Sequence, residues 1–217
     1  MLERKGMLGK KLVYLKYQNY LSNILELLIR VYDEETWFHV KRIKFYSEIL
    51  AKELNCSEIF IYKISFASSL HDIGKIFISK KILNKKGRLT FDEFEIMKKH
   101  SAYGEKILYF LGFGKVARNI ALYHHEYFNG AGYPKKIKEE DIPLEAKIVS
   151  LADVYDALRQ KRSYKVALSH KEAVKIIIDQ SGTQFDPEIV DVFLKNKEKF
   201  NEIFETTNIY KKRAIVL

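Results

Sequence analysis

Apolar residues recur at helical spacing along most of the chain, whereas residues that break helices are rare. The 217 residues include only three prolines and ten glycines. Two early stretches place apolar side chains three or four positions apart, which predicts an N-terminal helix over 12–32 and a second helix over 35–54. Because alternating strand-like patterns are scarce, the sequence predicts an all-α fold.

Four further helices have start signals in the sequence. The signals are a serine cap, two capping boxes and a carboxylate followed by proline: Ser57, Thr90 with Glu93, Ser169 with Glu172, and Asp186 with Pro187. They predict one helix that begins after position 57 and three more that cover about 91–99, 170–180 and 187–194. Gly74 is expected to let the chain turn away after the third helix.

One long irregular stretch, 126–143, interrupts this helical pattern and contains Gly132-Tyr133-Pro134. A loop of that length inside a compact helical domain more often serves a site than merely connects helices. No stretch has the composition of a linker between domains, so we expect a single folded unit.

Charge and cysteine content limit the classes of partner and compartment. The formal net charge is +10, from 38 Lys and Arg against 28 Asp and Glu, which predicts attraction to polyanions such as nucleotides, nucleic acid or anionic membrane without choosing among them. The single cysteine, the lack of a secretory-signal pattern and the shortness of the apolar stretches predict a cytoplasmic protein with no transmembrane segment.

Histidines and acids are grouped in a way that points to metal. Five of the six histidines have a carboxylate or another histidine within four positions. Glu35 and His39 lie four apart on a predicted helix and share one face, so they can chelate one ion. His71-Asp72 and His124-His125 are adjacent pairs, whose side chains on a helix diverge by about 100° and so suit neighbouring ions or a bridging role.

Two single donors complete the candidate set. Asp153 follows the apolar run 148–152, and a carboxylate on such a core-facing helix requires a partner. His100 alone is more readily explained as a hydrogen-bonded core or surface residue, and Asp153 alone as half of an ion pair. The joint constellation favours metal, whereas His170, beside a capping box, is expected at the surface.

At His71-Asp72-Ile73-Gly74-Lys75 and Gly132-Tyr133-Pro134 the chain resembles the HD-GYP subgroup of the HD phosphohydrolase superfamily. The resemblance covers the chain from about Leu25 to Leu194, and the motifs of the subgroup occur there in the same order. It implies a compact HD-domain helical bundle with one long irregular loop that carries Gly-Tyr-Pro. It also divides the chain into an N-terminal helix with dimer contacts (1–30), a catalytic domain (31–195) and a C-terminal helix and tail (196–217).

The resemblance also implies the ligands and the cofactors. The core metal ligands it implies are His71, Asp72, His100, His124, His125 and Asp153. Glu35 and His39 match the upstream pair of members that hold a third ion. The family's cofactors are two to three divalent transition-metal ions, usually iron or manganese, although these donor types also permit zinc, cobalt or nickel.

The implied activity is hydrolysis of a cyclic dinucleotide, usually cyclic di-GMP to pGpG or GMP. A metal-bridging hydroxide would attack the phosphorus, with Asp72 and Lys75 as the catalytic residues. By resemblance Arg162 and Lys165 clamp the substrate phosphates. Gly132, Tyr133 and Pro134 are the remaining candidates for contact with substrate, and for Tyr133 a purely structural role in the loop is an equal alternative.

Two other functions stay open. A slow or inactive cyclic dinucleotide receptor would keep the ligands and dock a partner, and a phosphodiesterase for cyclic GMP-AMP would use the same site. No long nucleic acid is expected as substrate. A homodimer through the N-terminal helix is possible on this pattern, and a sensor or signalling protein is the expected source of input.

Overall fold

The computed structural model describes residues 2–32, 34–160 and 167–214, with the side chains of residues 10, 12–27, 37–160 and 167–209. Within these ranges the secondary structure is helical and no strand is formed, which confirms the all-α prediction. The α-helices are α1 (Leu2–Tyr32), α2 (Glu34–Glu53), α3 (Glu58–Ala67), α4 (Lys80–Leu83), α5 (Phe91–Phe110), α6 (Lys115–Tyr123), α7 (Leu144–Arg159), α8 (His170–Asp179) and α9 (Pro187–Ala214). Short 3₁₀ segments cover Ser68–Leu70, Ile73–Phe77 and Glu139–Asp141.

The predicted helix starts are confirmed by their hydrogen bonds. The hydroxyl of Ser57 accepts from the backbone N–H of Phe60 at the start of α3. Thr90 and Ser169 each form a complete capping box, with Glu93 and Glu172 as the third helical residues. These local bonds satisfy backbone donors that the first helical turn leaves without partners.

Helix α1 begins at Leu2 rather than near position 12, and two other helices end later than their sequence patterns predict. Helix α5 continues to Phe110 rather than ending near position 99, because Ser101, Gly104 and Leu108 are buried on the face it presents to its neighbours. Helix α9 continues to Ala214 rather than ending near 194, and its second half buries Phe200 and Phe204. Tertiary packing of an apolar face extends both helices beyond their local signals.

The core lies between α2, α3, α6, α7 and α9, which bury a common set of aliphatic and aromatic side chains. Aromatic rings join the C-terminal helix to the centre of the bundle. Phe200 of α9 stacks on Tyr46 of α2 with ring centroids 4.3 Å apart, and Phe193 lies 5.5 Å from Tyr155 of α7. Helix α9 therefore supports the two helices that carry His39 and Asp153.

Gly74 does not serve the chain turn expected of it. Its φ lies outside the left-handed region, and it sits within the 3₁₀ segment Ile73–Phe77. A Cβ at this position would lie 2.0 Å from the carbonyl oxygen of His100 and 2.5 Å from the backbone nitrogen of Gly104. Glycine is needed here because the segment passes directly against the backbone of α5.

None of the helices in the described ranges is both long and apolar enough to cross a membrane. The predicted division of the chain at positions 30 and 195 stays a prediction. Helix α1 runs across the first of these positions and α9 across the second.

Candidate metal centre

A tight corner between α3 and α5 places the first adjacent pair. Helix α3 gives way to the 3₁₀ segment Ser68–Leu70, and His71 and Asp72 follow in the turn before the next 3₁₀ segment. His71 is fully buried, while the Asp72 side chain keeps 21% of its surface exposed. The corner therefore buries one imidazole in the bundle and leaves the carboxylate partly exposed.

The other described donors come from four different helices. His39 lies in α2, His100 in the middle of α5 and Asp153 in the middle of α7. His124 is the C-terminal capping residue of α6, and His125 follows it. Because these helices pack on each other, residues up to 114 positions apart reach one region.

The described donors form two groups, within each of which the candidate ligand atoms lie within 4.8 Å of one another. The first group contains Asp72, His100, His124 and His125, and the second contains His39, His71 and Asp153. Seven of the eight predicted metal ligands are thus brought together. The eighth, Glu35, belongs to α2, but its side chain lies outside the described residues.

Asp72 connects the two groups. Its Oδ1 lies 3.3 Å from His100 Nε2 and 3.8 Å from His124 Nε2, both in the first group. Its Oδ2 lies 3.4 Å from Nε2 of His71, which belongs to the second group. One carboxylate with an oxygen toward each group has the arrangement of a bridging ligand.

Three of the histidines are oriented by backbone carbonyls. His71 Nδ1 lies 2.9 Å from Ser68 O, His100 Nδ1 2.7 Å from Met97 O, and His124 Nδ1 2.9 Å from Ile120 O. Since a carbonyl only accepts hydrogen bonds, each Nδ1 carries the proton and each Nε2 is left to bind. This is the usual outer-shell arrangement of metal-binding histidines.

Several buried atoms in the centre have no hydrogen-bond partner, namely His71 Nε2, His124 Nε2 and Asp72 Oδ1. Leaving buried polar atoms unpaired is costly, so three in one place need a further group to satisfy them. Metal ions fit this requirement, and the imidazole and carboxylate donors, without thiolate, suit iron, manganese or zinc-type ions. The residues present therefore fit the cofactor that the sequence predicts.

The protonation states favour cation binding at the first group. Burial opposes ionisation of Asp72, but Lys75 and His71 outweigh it and hold the pKa of this carboxyl well below its usual range. Burial lowers the pKa of His100 to about 4. It also lowers the pKa of His125, with the help of His124 and His100. The group thus offers an ionised carboxylate from Asp72 and neutral imidazoles from His100 and His125 near neutral pH.

The second group also contains one carboxylate, Asp153. Burial opposes ionisation of Asp153, yet its hydrogen bond to His39 and the proximity of His71 lower the pKa of this carboxyl. Burial lowers the pKa of His39, but its hydrogen bonds to Asp153 and Asp156 outweigh burial and raise the pKa to about 9. The His39 imidazole is thus positioned between two carboxylates.

The Gly132-Tyr133-Pro134 loop packs directly on the first group. The centroid of the Tyr133 ring lies 4.7 Å from that of the His125 ring, at an interplanar angle of 33°. The backbone N–H of Tyr133 donates a hydrogen bond to the backbone carbonyl of His125. A Cβ on Gly132 would lie 2.3 Å from Tyr127 N and 2.4 Å from His125 O. Glycine is needed at this position because the loop folds back against the chain that follows the histidine pair.

Glu126 is buried and binds the backbone directly after Pro134. The sequence analysis does not identify it as a site residue. Its Oε1 accepts hydrogen bonds from the backbone N–H groups of Lys135 and Lys136. The available signal was its position directly after His124-His125, at the start of the irregular stretch. Glu126 thus fixes the loop that covers His125.

Lys75 lies at the edge of the centre, where its ammonium forms an ion pair with Asp72 and 41% of its side chain is exposed. The other predicted phosphate contacts, Arg162 and Lys165, lie outside the described residues. His170 lies apart from both ligand groups. It is not a simple surface residue as expected, because its Nδ1 is 2.9 Å from the hydroxyl of buried Tyr155.

A second missed residue, Asp156, lies behind His39. It is fully buried, and its Oδ2 lies 2.7 Å from His39 Nδ1. The signal was an acid three positions after Asp153 in an apolar helix, where a buried carboxylate requires a partner. That partner, Arg42, is 114 positions away and shows no sign of its role in the sequence.

The chain is similar in sequence to relatives with known names. A family model described as HD domain matches residues 23–189. A cyclic di-GMP phosphodiesterase of Thermotoga maritima is 40% identical over 196 residues, which cover 88% of this chain and 53% of the relative. A 3'3'-cGAMP-specific phosphodiesterase 2 of Vibrio cholerae is 38% identical over 194 residues, which cover 88% of this chain and 35% of the relative. The chain thus spans about half or less of the length of these curated relatives.

Solved structures share the fold at low sequence identity. A cyclic GMP-AMP specific phosphodiesterase of V. cholerae has a TM-score of 0.62 at 22% identity, covering 80% of this chain and 47% of that one. The HDGYP protein Bd1817 of Bdellovibrio bacteriovorus has a TM-score of 0.61 at 22% identity, covering 88% of this chain and 61% of that one. Together with the match of the family model and the first ligand group beneath the Gly-Tyr-Pro loop, these findings show that the chain belongs to the HD-domain family and is of its HD-GYP type.

Proposed function

We propose that this chain hydrolyses a cyclic dinucleotide, cyclic di-GMP, to pGpG, GMP or both, in a metal-dependent reaction. The observation that carries the proposal is the pair of ligand groups joined by Asp72, with buried donor atoms that need cations. The substrate class is supported by the names of relatives 38–40% identical to the chain. Cyclic GMP-AMP is the second candidate substrate, since one of those relatives is named as specific for it.

The cofactor we propose is about two to three divalent ions per chain, iron or manganese. The two described ligand groups would each bind one ion. Glu35, one helical turn before His39 in α2, would supply a ligand for a third ion. Bound ions would lower the pKa of water toward neutrality and neutralise charge on the phosphate. Hydrogen bonds to backbone carbonyls orient His71, His100 and His124, three of the histidines that would hold these ions.

The chain's own residues bind and orient the substrate in this proposal. Lys75, partly exposed beside Asp72, contacts a phosphate oxygen or the leaving group. Arg162 and Lys165 hold the phosphates, for which the fork of a guanidinium is suited. Tyr133 fixes the loop on His125 and presents its ring toward a base.

Metal analysis and product analysis of one anaerobically purified sample test the proposal. We expect about two to three ions per chain by elemental analysis, and a linear dinucleotide or a mononucleotide from cyclic di-GMP by chromatography. Chelator-treated protein should lose the activity and recover it when the metal is returned. Cyclic GMP-AMP run in parallel distinguishes the two substrates. Metal-loaded protein that binds either dinucleotide and leaves it intact would instead identify a receptor.

We also propose that α1 pairs with α1 of a second copy. Five of its exposed apolar residues are spaced alternately by four and three positions, the pattern of a coiled-coil seam. They are Val13, Tyr17, Tyr20, Ile24 and Leu27. The opposite face packs on the bundle through Leu15, Gln18, Ser22 and Glu26, which are buried. A sensor or signalling protein as the source of input stays a prediction.

Replacing both Tyr20 and Ile24 by glutamate is expected to convert a dimer into a monomer in sedimentation velocity, because four acidic side chains would meet in the seam. The matched control is Phe110→Glu, at a residue of α5 that is 82% exposed. This control should leave the dimer intact. A wild-type protein that sediments as a monomer at every concentration contradicts the pairing.

A further inference from the structure

His39 is oriented differently from the other described ligand histidines. His71, His100 and His124 each use Nδ1 to bond a backbone carbonyl, whereas Nδ1 of His39 faces the carboxylate of Asp156 at 2.7 Å. Asp156 is fully buried. Because a carboxylate only accepts hydrogen bonds, His39 donates from Nδ1 and its Nε2 faces the second ligand group.

Asp156 is itself held in place on both oxygens. Arg42 Nε donates to Oδ1 at 2.5 Å and Arg42 Nη2 donates to Oδ2 at 2.9 Å, and Arg42 is only 2% exposed. Gln160 donates a further hydrogen bond to Oδ2. A carboxylate fixed by a bidentate guanidinium has little freedom to rotate, so its direction toward His39 is set by the fold.

Helix α7 supplies both carboxylates that flank His39. Asp153 lies one helical turn before Asp156, and its Oδ1 is 3.4 Å from His39 Nε2. Residues three apart on a helix share a face, so the two acids lie on either side of one imidazole. Asp153 is a candidate ligand, whereas Asp156 lies on the far side of the ring from the other donors.

We propose that Asp156 is the positioning residue of the second ligand group. It fixes the ring of His39 and strengthens that imidazole as a ligand, so the group of His39, His71 and Asp153 binds its ion tightly only while Asp156 accepts this hydrogen bond. The first group, in which backbone carbonyls orient His100 and His124, does not depend on Asp156. The inference rests on the proposed metal centre but not on the proposed substrate.

The alternative is that Asp156 serves stability alone, as half of a buried ion pair with Arg42. Removing one member of such a pair leaves an uncompensated buried charge and destabilises the fold. A single substitution of Asp156 would therefore affect both the orientation of His39 and the stability of the fold, and it could not separate the two roles. A double variant, Arg42→Met with Asp156→Leu, removes both charges together and leaves His39 without its acceptor in a protein that is expected to fold.

The test is titration of metal-free protein with Co²⁺, followed by visible absorption and by the number of ions retained after dialysis. In the double variant we expect about a 10–100-fold weaker affinity at one class of sites and no change at the other. Asp156→Asn, which keeps an oxygen able to accept from His39, should lose less affinity than the double variant.

The matched control is Glu145→Gln. Glu145 is a buried carboxylate in the first turn of the same helix, and it accepts a hydrogen bond from Asn119. This variant should bind Co²⁺ as the wild type does. Equal weakening of both classes of sites in the double variant, or wild-type affinity at both, would overturn the proposal. A chain that hydrolyses no dinucleotide yet shows the selective loss would overturn the proposed function and leave this inference standing.

Discussion

Asp72→Asn is expected to lose ions from both ligand groups and to lower kcat/KM by at least about 10³-fold, or roughly 4 kcal/mol of transition-state stabilisation. The reason is geometric, since Oδ1 faces His100 and His124 while Oδ2 faces His71. An asparagine of the same shape replaces one of those oxygens by an amide that repels cations, and it removes the negative charge that offsets them. Elemental analysis and steady-state kinetics measure the two effects.

The matched control for this change is Asp191→Asn, at an exposed carboxylate of α9. It should keep the full number of ions and the full activity. Retention of every ion by Asp72→Asn would show that this carboxylate does not connect the two groups. Retention of the ions with loss of activity would restrict Asp72 to a role in catalysis alone.

Gly74→Ala is expected to lower the free energy of unfolding by about 3 kcal/mol, because overpacking against backbone leaves no flexible side chain to move aside. The added methyl group would lie 2.0 Å from the carbonyl oxygen of His100. Helix α5 must shift to admit it, and His100 moves with that helix. Thermal unfolding should show a Tm lower by roughly 10 °C, and the ion bound by the first ligand group should be held less tightly.

Gly104→Ala is the control on the other side of the same contact. Its Cβ would lie 3.2 Å from the Cβ of Ala121 and 3.4 Å from the backbone nitrogen of Gly74, so a small adjustment is enough. Alanine within a helix also gains about 1 kcal/mol over glycine, which offsets the crowding. A wild-type Tm for Gly74→Ala would contradict the close approach of the Ile73–Phe77 segment to α5.

The local parts of the fold were predictable because their causes are local. A capping box needs only two residues three positions apart, and both predicted boxes, at Thr90 and Ser169, are present. The ends of α5 and α9 were not predictable in the same way. They depend on which faces become buried, and burial of Leu108 and Phe200 is a property of the packed bundle.

The candidate ligands were predictable because their chemistry is unusual for a core. Adjacent His-Asp and His-His pairs have few structural explanations, and the structure brings them together with His39, His100 and Asp153. The roles of Asp156 and Arg42 were not predictable, since a buried acid and a distant arginine become partners only through the packing of α2 on α7.

The amino-acid sequence by itself determined the helical class, most helix starts and the set of side chains able to bind cations, because periodicity, caps and donor chemistry belong to short segments. Only the tertiary structure decided how those donors divide into two groups, that Asp72 faces both, and that Gly74 serves a close approach instead of a turn. These features depend on distances between helices far apart in the chain, and such distances are set by the packing of the whole core.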